Sequence, residues 1–365
     1  MEYSQSQQYW IWLSSIKELD VRHFDALLER LGPPQRVWEE MGPYIREMVG
    51  PRVYRALEQA RQALYLEALF ASLEQCGAVA VTREDETYPQ DLLTIADPPP
   101  TLYVRGRAAL DDPCMFAIVG ARNCSAYGTR MTRRIARELS EAGVTVVSGL
   151  ARGIDSAAHR GAVDARARTV AVLGCGIDVV YPPENRTLYE EILANGGSIV
   201  TEEPPGTPPL AHNFPARNRI ISGMSRAVLL VEAARHSGAM STVRHAIDQS
   251  RDVMALPGQA DSVLSSSPHA LIRDGARLVA SAKEILEDLG WDRLEIDGRR
   301  PSDEPLQLTA AEQQVYNALA GGSESVDQLV DALRIKPADL NCLLTSMEIR
   351  GIIRQLPGRR VERIV

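Results

Sequence analysis

The stretch NFPARNR at 213–219 brings an aromatic ring and two guanidinium groups together just before the apolar pair Ile220–Ile221. Charged side chains are costly to bury without partners. Arg217 and Arg219 therefore imply anions, either carboxylates of the fold or phosphates of a ligand. Further arginines sit in loops of small residues. Gly120-Ala121-Arg122-Asn123-Cys124-Ser125 follows the apolar run MFAIV, and Gly149-Leu150-Ala151-Arg152-Gly153 follows VTVVS. Gly174-Cys175-Gly176 follows TVAVL, and His236-Ser237-Gly238-Ala239-Met240-Ser241-Thr242 follows AVLLVE. Glycine lets a backbone approach a ligand closely, and a helix start offers free N–H groups and a positive partial charge that suit phosphate. One such loop is an ordinary turn between strand and helix. Several on one rim read as an anion site for several phosphates.

Other constellations carry weaker chemistry. Arg130, Arg133, Arg134 and Arg137 share one face of a helix at 127–142, with Met131, Ile135 and Leu139 on the other side. The stripe fits a phosphate backbone or a solvated surface equally well. Asp155 and His159 in GIDSAAH stand four apart at a helix start; a capping aspartate and a packed histidine is the simpler reading, a catalytic pair the other. Glu202-Glu203 have no nucleophile or metal cluster beside them, so they read as structural rather than as general acid and base. Gly174-Cys175-Gly176 lacks the third glycine of a dinucleotide fingerprint, and the chain runs on into Ile-Asp-Val-Val-Tyr-Pro-Pro rather than a helix. No P-loop pattern occurs. No catalytic residue, metal site or cofactor is expected.

The elements that must hold these residues fall into zones. Residues 1–77 read as helical. DVRHFDALLERLG has apolar Val21, Phe24, Leu27, Leu28 and Leu31 on one face, with Asp20 as N-cap and Gly32 as the stop. PRVYRALEQARQALYLEALFASLEQCG reads as one longer helix. In 78–291 the apolar runs MFAIV, VTVVS, TVAVL, SIVT, AVLLVE and DVMAL alternate with helical stretches. The runs are continuous, which suits parallel strands buried on both faces, and the rhythm predicts a doubly wound α/β sheet of about six or seven strands. Ligands of such a sheet gather at the carboxyl ends of its strands. Residues 292–306 are charged and rich in Pro and Gly, a linker. In 307–365 three short helices and two strands around Pro357-Gly358 make a winged-helix pattern. That tail has seven Lys/Arg and seven Asp/Glu, no net positive field, which favours protein contact or weak duplex binding.

The chain has 365 residues, is 45% hydrophobic and 24% charged, and carries a net charge of −8. This is ordinary for a soluble globular protein and leaves room for a local basic patch. Cys76, Cys114, Cys124, Cys175 and Cys342 form no C-x-x-C pair and no zinc spacing, so reduced thiols in the cytoplasm are expected. MEYSQSQQYW lacks a basic segment before an apolar stretch, so no signal peptide is expected. Runs such as AVLLV are too short to cross a bilayer, so no membrane partner is expected.

Together, VGARNCSAYG, VVSGLARGIDSAAHRGAV, TVAVLGCGIDVVYPPEN, TEEPPGTPP, NFPARNRIISGMS and YPQDLLTIADPPPTLYVRG resemble the DprA family, also called Smf, the DNA-processing proteins of bacterial natural transformation. The likeness spans about residues 85–290 in the family's order and spacing. It implies a helical SAM-like domain at 1–77, an extended Rossmann-like parallel sheet at 78–291 and a winged-helix-like domain at 307–365. It also implies a DNA-binding protein rather than an enzyme. Such a protein binds incoming single-stranded DNA, protects it, loads the RecA recombinase and forms a homodimer through the Rossmann-like domain. By motif, Gly120 and Arg122, then Ser148, Gly149 and Arg152, then Phe214, Arg217, Asn218 and Arg219 match the family's pocket region. The phenylalanine would stack on a base while arginines hold phosphates. Ser237, Gly238 and Ser241 of the rim and Arg130 and Arg134 of the stripe complete the expected DNA contacts.

The chain departs from the family in two places. SGAMSTV at 237–243 stands where S-G-S-L-I-T-A is common, and Ser267-Pro268-His269-Ala270-Leu271-Ile272 stands for Gly-x-Asn-x-Leu-Ile. The competing reading is a nucleotide phosphoribohydrolase-like enzyme, which would bring P-G-G-x-G-T-x-x-E where this chain has RHSGAMSTVRH. Within NFPARNR, Pro215 suits the first turn of a helix. Arg217 and Arg219, about 200° apart around it, must do different jobs. Arg217 falls inward, beside Phe214, as the phosphate contact; Arg219 is either a second contact or a scaffold arginine paired with a carboxylate.

Overall fold

The computed structural model describes residues 3–107, 109–293, 309–319, 324–349, 353–356 and 360–363. The chain opens with helices α1 (Gln5–Ser14), α2 (Val21–Leu31), α3 (Pro34–Glu39), α4 (Pro43–Ala60) and α5 (Ala63–Cys76). Asp20 caps α2 by accepting the His23 N–H at 2.9 Å, and Gly32, at φ 89°, ends it. The expected single helix over 51–77 is instead two. Gln62 is extended (φ −68°, ψ 135°), so α4 can bury Leu57 and Ala60 among the N-terminal helices while α5 turns Leu73 toward the sheet. Burial on two different cores outweighs the good helix propensity of ARQAL.

The strands and helices of the sheet region then follow as β1 (Val79–Thr82), α6 (Gln90–Leu93), β2 (Thr101–Gly106), β3 (Met115–Val119), α7 (Ala126–Glu141), β4 (Thr145–Ser148) and α8 (Ile154–Asp164). After them come β5 (Thr169–Val172), α9 (Arg186–Ala194), β6 (Ser198–Thr201), α10 (Asn213–Gly223), β7 (Ala227–Leu230) and α11 (Ala239–Asp248). The region closes with β8 (Asp252–Ala255), α12 (Ser266–Arg273), β9 (Arg277–Leu278) and α13 (Ala282–Leu289).

They form one nine-stranded sheet in the order β1-β2-β6-β5-β4-β3-β7-β8-β9. From β6 to β9 the neighbours are parallel; β1 and β2 add on antiparallel. The six expected runs are β3 to β8. The expected runs leave out β1 and β2, because no long helix separates them from each other or announces a crossover, and β9, which is only two residues long. In β3, Phe116 and Ile118 pack among α7, α8 and α13, while Ala117 and Val119 pack among α6, α10 and α11. Covering on both sides is the reason the run MFAIV does not alternate.

Residues 1–301 form one compact unit and 302–365 another. Within the first, the helical start shares a core with the sheet: Ile11 and Leu73 lie in the same cluster as Tyr103 and Ile199. Ser14 Oγ donates to Thr101 Oγ1 at 2.8 Å and the Ala80 N–H donates to Tyr3 Oη at 2.9 Å. The 77/78 boundary thus crosses continuous packing.

The second unit contains α14 (Ala310–Ala318), β10 (Glu324–Ser325), α15 (Val326–Leu333), α16 (Pro337–Ile349), β11 (Ile353–Leu356) and β12 (Arg360–Arg363). Thr309 with Glu312 and Ser325 with Gln328 make capping boxes. The three expected helices and two strands are present, with β10 added to give the sheet order β10-β12-β11. The Pro357-Gly358 turn, and the expected linker at 292–306 from residue 294 onward, lie outside the described residues.

Candidate nucleic-acid interface

β3 is where the winding of the sheet reverses. From it the chain steps to β4, β5 and β6 on one side, then crosses to β7 on the other. Loops diverge at such a switch point and leave a crevice at the carboxyl ends of the strands. Here it is an open cleft of about 1160 Å³. Gly120 to Asn123 line it after β3, Ala151 and Asp155 after β4, Tyr181 after β5, Phe214, Arg217 and Asn218 on α10, and Arg235 to Ala239 with Ser241 around the start of α11.

Its floor holds two buried side chains of opposite charge. Arg217 is 4% exposed and Asp155 7%. Arg217 Nη1 donates to the Gly149 carbonyl at 2.9 Å and to that of Val172. Asp155 accepts the N–H groups of Ala151 and Gly149. A side chain at Gly149 would put its Cβ 2.6 Å from both Arg217 Nη2 and Asp155 Oδ2, so only glycine leaves the pair its place. Burial pushes the Asp155 carboxyl above its ordinary range, against the pull of Arg217. Burial lowers Arg217 to about 10, still cationic at neutral pH. His159 turns elsewhere: its Nδ1 meets Thr169 Oγ1 at 2.8 Å, and burial drives it down to about 3, so it stays neutral. Asp155 lies in the first turn of α8 as a buried carboxyl within the electrostatic reach of Arg217, and His159 is packed, as the simpler reading had it.

Arg219 is 4% exposed and does not line the cleft. Its two Nη atoms donate to the Glu202 oxygens at 2.8 and 2.7 Å, and its Nε donates to the Asp97 carbonyl at 3.0 Å. Burial opposes its charge, but Glu202 and Asp97 hold it above the ordinary arginine value. Of the two jobs open to Arg219, the structure shows the scaffold one. α10 begins at Asn213, so Pro215 lies in its first turn as expected, and Arg217, fifth in the helix, just follows that turn. Ile220, Ile221 and Met224 form the inner face as expected. Next to Glu202, burial and the Glu202 charge raise the Glu203 carboxyl to about 7, with Lys17 and Arg219 opposing.

At the mouth, Arg122 is exposed and makes no ion pair among the described residues; its guanidinium stands 5.6 Å over the Phe214 ring. Tyr181 lies 5.4 Å from Phe214 at a 43° tilt. Gly153, at φ 75°, turns the chain against the Ala121 and Arg122 carbonyls, which a Cβ would strike at 2.3 and 2.5 Å. Gly120 lies against Ile154 and the Glu232 carbonyl, leaving no room for a Cβ. Arg152 is exposed and paired with Glu184. Asn218 Nδ2 donates to Ser241 Oγ at 2.6 Å, Ser237 Oγ accepts the Ala239 N–H at 3.3 Å, and Gly238 is open to solvent. Ser148 is buried and its Oγ donates to the Ile118 carbonyl at 2.7 Å, beneath the cleft.

Three features escaped the sequence reading. Tyr181 comes to the cleft only because the loop after β5 folds over it. Arg235 joins the rim; it adjoins the expected His236–Thr242 loop and was legible from that position. Glu232, 4% exposed, accepts both the N–H and the Oγ of Ser125 at 2.8 and 2.6 Å, which holds the start of α7 beside the Arg122 loop. The arginine stripe lies in a separate shallow groove of about 820 Å³ with Asp164. There Arg133 pairs with Asp164, Arg134 with Glu138 at 3.6 Å and Arg137 with Glu141 at 2.6 Å, while Arg130 sits 5.8 Å over Tyr127.

A parallel sheet with a cation-lined cleft at its switch point makes this a Rossmann-like protein. Its relatives are specific. The model of the family DNA recombination-mediator protein A matches residues 79–290, more than half of the chain, and that of the DprA winged helix domain matches 299–359. The chain is 32% identical to the protein Smf of Synechocystis over 98% of each. The crystal structure of DNA processing protein A from Streptococcus pneumoniae matches with a TM-score of 0.64 and 32% identity, over 79% of this chain and 99% of that one. A DNA processing protein A structure from Helicobacter pylori, described for its single-stranded DNA binding mode, matches with a TM-score of 0.53 and 28% identity, over 59% and 96%. The chain belongs to the DprA family of DNA-processing proteins.

The floor and the mouth should separate in a denaturation experiment. Arg217→Ala leaves the Gly149 and Val172 carbonyls without their donor beneath the cleft and should cost about 1–3 kcal/mol, whereas Arg122→Ala on the exposed mouth should stay within about 0.5 kcal/mol; equal losses would contradict this division. Glu203 should make stability depend on pH. A carboxyl raised in the fold keeps its contribution below the unfolded value and loses it as pH rises through about 7. Thermal unfolding should therefore show Glu203→Gln gaining over the parent chain at pH 8 and gaining less at pH 5.

Proposed function

We propose that this chain binds single-stranded DNA in the cleft, protects it and loads a RecA-type recombinase onto it during natural transformation, acting by binding alone. One observation carries the reading: the unpaired Arg122 guanidinium and the Phe214 ring stand 5.6 Å apart in one cleft, with Tyr181 beside the ring. A single strand offers phosphates to the first and base faces to the second. The Helicobacter pylori relative's single-stranded DNA binding mode supports it. In this reading Arg122, Arg152, Ser237, Gly238 and Ser241 meet the strand. Arg217 contributes charge through the floor, and Gly120, Ser148, Gly149, Asn218 and Arg219 hold the contacts in place. Arg130 and Arg134 would serve strand that leaves the cleft along α7.

The test is fluorescence anisotropy with oligothymidylate and duplex across a salt series. Single strand should bind more tightly, with affinity falling steeply in salt. Arg122→Ala should lower the salt slope by about one, and Arg122→Glu should abolish stimulation of RecA strand exchange in the presence of a single-strand-binding protein. Release of free base from nucleoside monophosphates would overturn the binding-only reading.

We further propose that two copies pair through the β8–β9 end of the sheet. Leu278 on the edge strand β9 is 52% exposed and Ile247 on α11, which packs on β8, is 58% exposed. Apolar side chains on an open edge favour self-association. Sedimentation should show a dimer that Leu278→Glu with Ile247→Glu converts to a monomer; an unaltered dimer would place the interface elsewhere.

A further inference from the structure

The mouth of the cleft carries a second apolar feature. Among the described residues the large hydrophobics most exposed to solvent are Tyr44, Leu210, Ile247, Val263 and Leu278. Two of these flank the cleft. Val263, 72% exposed, belongs to the loop after β8, where Val263, Leu264 and Ser266 line the cavity. Leu210, 42% exposed, lies in the loop after β6, between the lining residues Pro209 and Ala211. β6 and β8 lie on opposite sides of β3, so the two loops approach the cleft from both halves of the sheet.

A lone exposed valine needs no explanation. Here, however, the backbone beneath each apolar side chain is pinned. The Ala233 N–H donates to the Leu264 carbonyl at 2.8 Å and the Ser267 N–H donates to the Ala233 carbonyl at 3.1 Å, tying the Val263 turn to the end of β7. Ser265 is 3% exposed, and Gly258 leaves no room for a Cβ against its Oγ. On the other loop the Leu210 N–H donates to the Pro208 carbonyl at 2.9 Å and the Asn213 N–H to the Leu210 carbonyl at 3.1 Å, at the start of α10. The fold thus spends hydrogen bonds on holding two apolar side chains in water, beside a floor and rim of arginines.

We propose that Val263 and Leu210 extend the base-binding surface of Phe214 at the mouth and so sharpen the cleft's choice of unpaired over paired strands. The proposal rests on the DNA-binding reading above. Cations attract any phosphate backbone, single or double. A duplex keeps its base faces stacked inside, so it has nothing to offer an apolar lip. An unpaired strand does: while its phosphates meet Arg122 and the start of α11, its base faces can lie on Val263 and Leu210 and remove both surfaces from water. The cations supply attraction and the lips supply discrimination.

The experiment uses the full chain with Val263→Ser, Leu210→Ser and both together. Both sites are exposed, so unchanged thermal unfolding is the control for folding. Three labelled ligands of equal length are titrated: oligothymidylate, an abasic single strand and a duplex. The double variant should bind oligothymidylate about tenfold more weakly, in line with the loss of the apolar surface that two aliphatic side chains bury against bases. Its affinity for the abasic strand and the duplex should match the parent chain, and its salt slope should not change because no phosphate contact is lost. Equal losses on the thymidylate and abasic strands, or no loss on either, would overturn the proposal. Should the parent chain itself bind duplex as tightly as single strand, the reading beneath falls and this one with it. A parent chain that discriminates, beside a double variant that discriminates equally, would remove the lips alone.

Discussion

Asp155 and Arg217 face each other at the cleft floor, where water barely reaches and unpaired charge is costly. Much of the surrounding backbone serves that pair. The bare Cα of Gly149 makes room for it, the Gly149 and Ala151 amides satisfy the carboxylate, and the Gly149 and Val172 carbonyls accept from the guanidinium. The loops after β4 and β5 are thereby fastened to α10. Since α10 also carries Phe214, the pair fixes where the aromatic surface stands relative to the Arg122 loop.

The arginines of one short motif divide by partner. Arg219 meets Glu202 with both Nη atoms and ties α10 to β6 and to the segment before β2. Arg217 is committed to carbonyls and Asp155 but still borders the cleft, so its charge is felt there without its hydrogen bonds being free. Arg122, with no carboxylate partner among the described residues, keeps its hydrogen-bonding capacity at the mouth. The same logic applies on α7, where three arginines of the stripe are each met by a carboxylate. A net charge of −8 is therefore compatible with a cationic cleft, because a local group of arginines sets the field at the switch point whatever the overall balance.

The winding of the sheet is what gathers these groups. Arg122, Asp155, Tyr181, Phe214 and Arg235 are spread over more than a hundred residues, yet each follows or faces the carboxyl end of a strand near β3. Glu232 and Ser125 add a brace between the β7 and β3 loops, so the rim is held from both sides of the crevice.

Much of this was legible in the sequence. Unbroken apolar runs separated by helical stretches determine a parallel sheet covered on both faces, because burial on both sides removes the alternation. Strand ends followed by glycine, serine and arginine mark the rim. Periodicity also placed Ile220, Ile221 and Met224 inward. What depended on tertiary structure was the partner of each charge. Helical spacing sets Arg217 and Arg219 on different sides of α10, but nothing local says that Glu202 is the carboxylate one of them meets, since that pairing joins separate strands and helices. Likewise α5 departs from α4, and β1 and β2 join the sheet, because distant surfaces reward burying them there. Sequence alone determined which residues are cationic and which strand ends they follow. Only the packed fold, by supplying or withholding a carboxylate within hydrogen-bond reach, decided which of those cations remain free at the cleft.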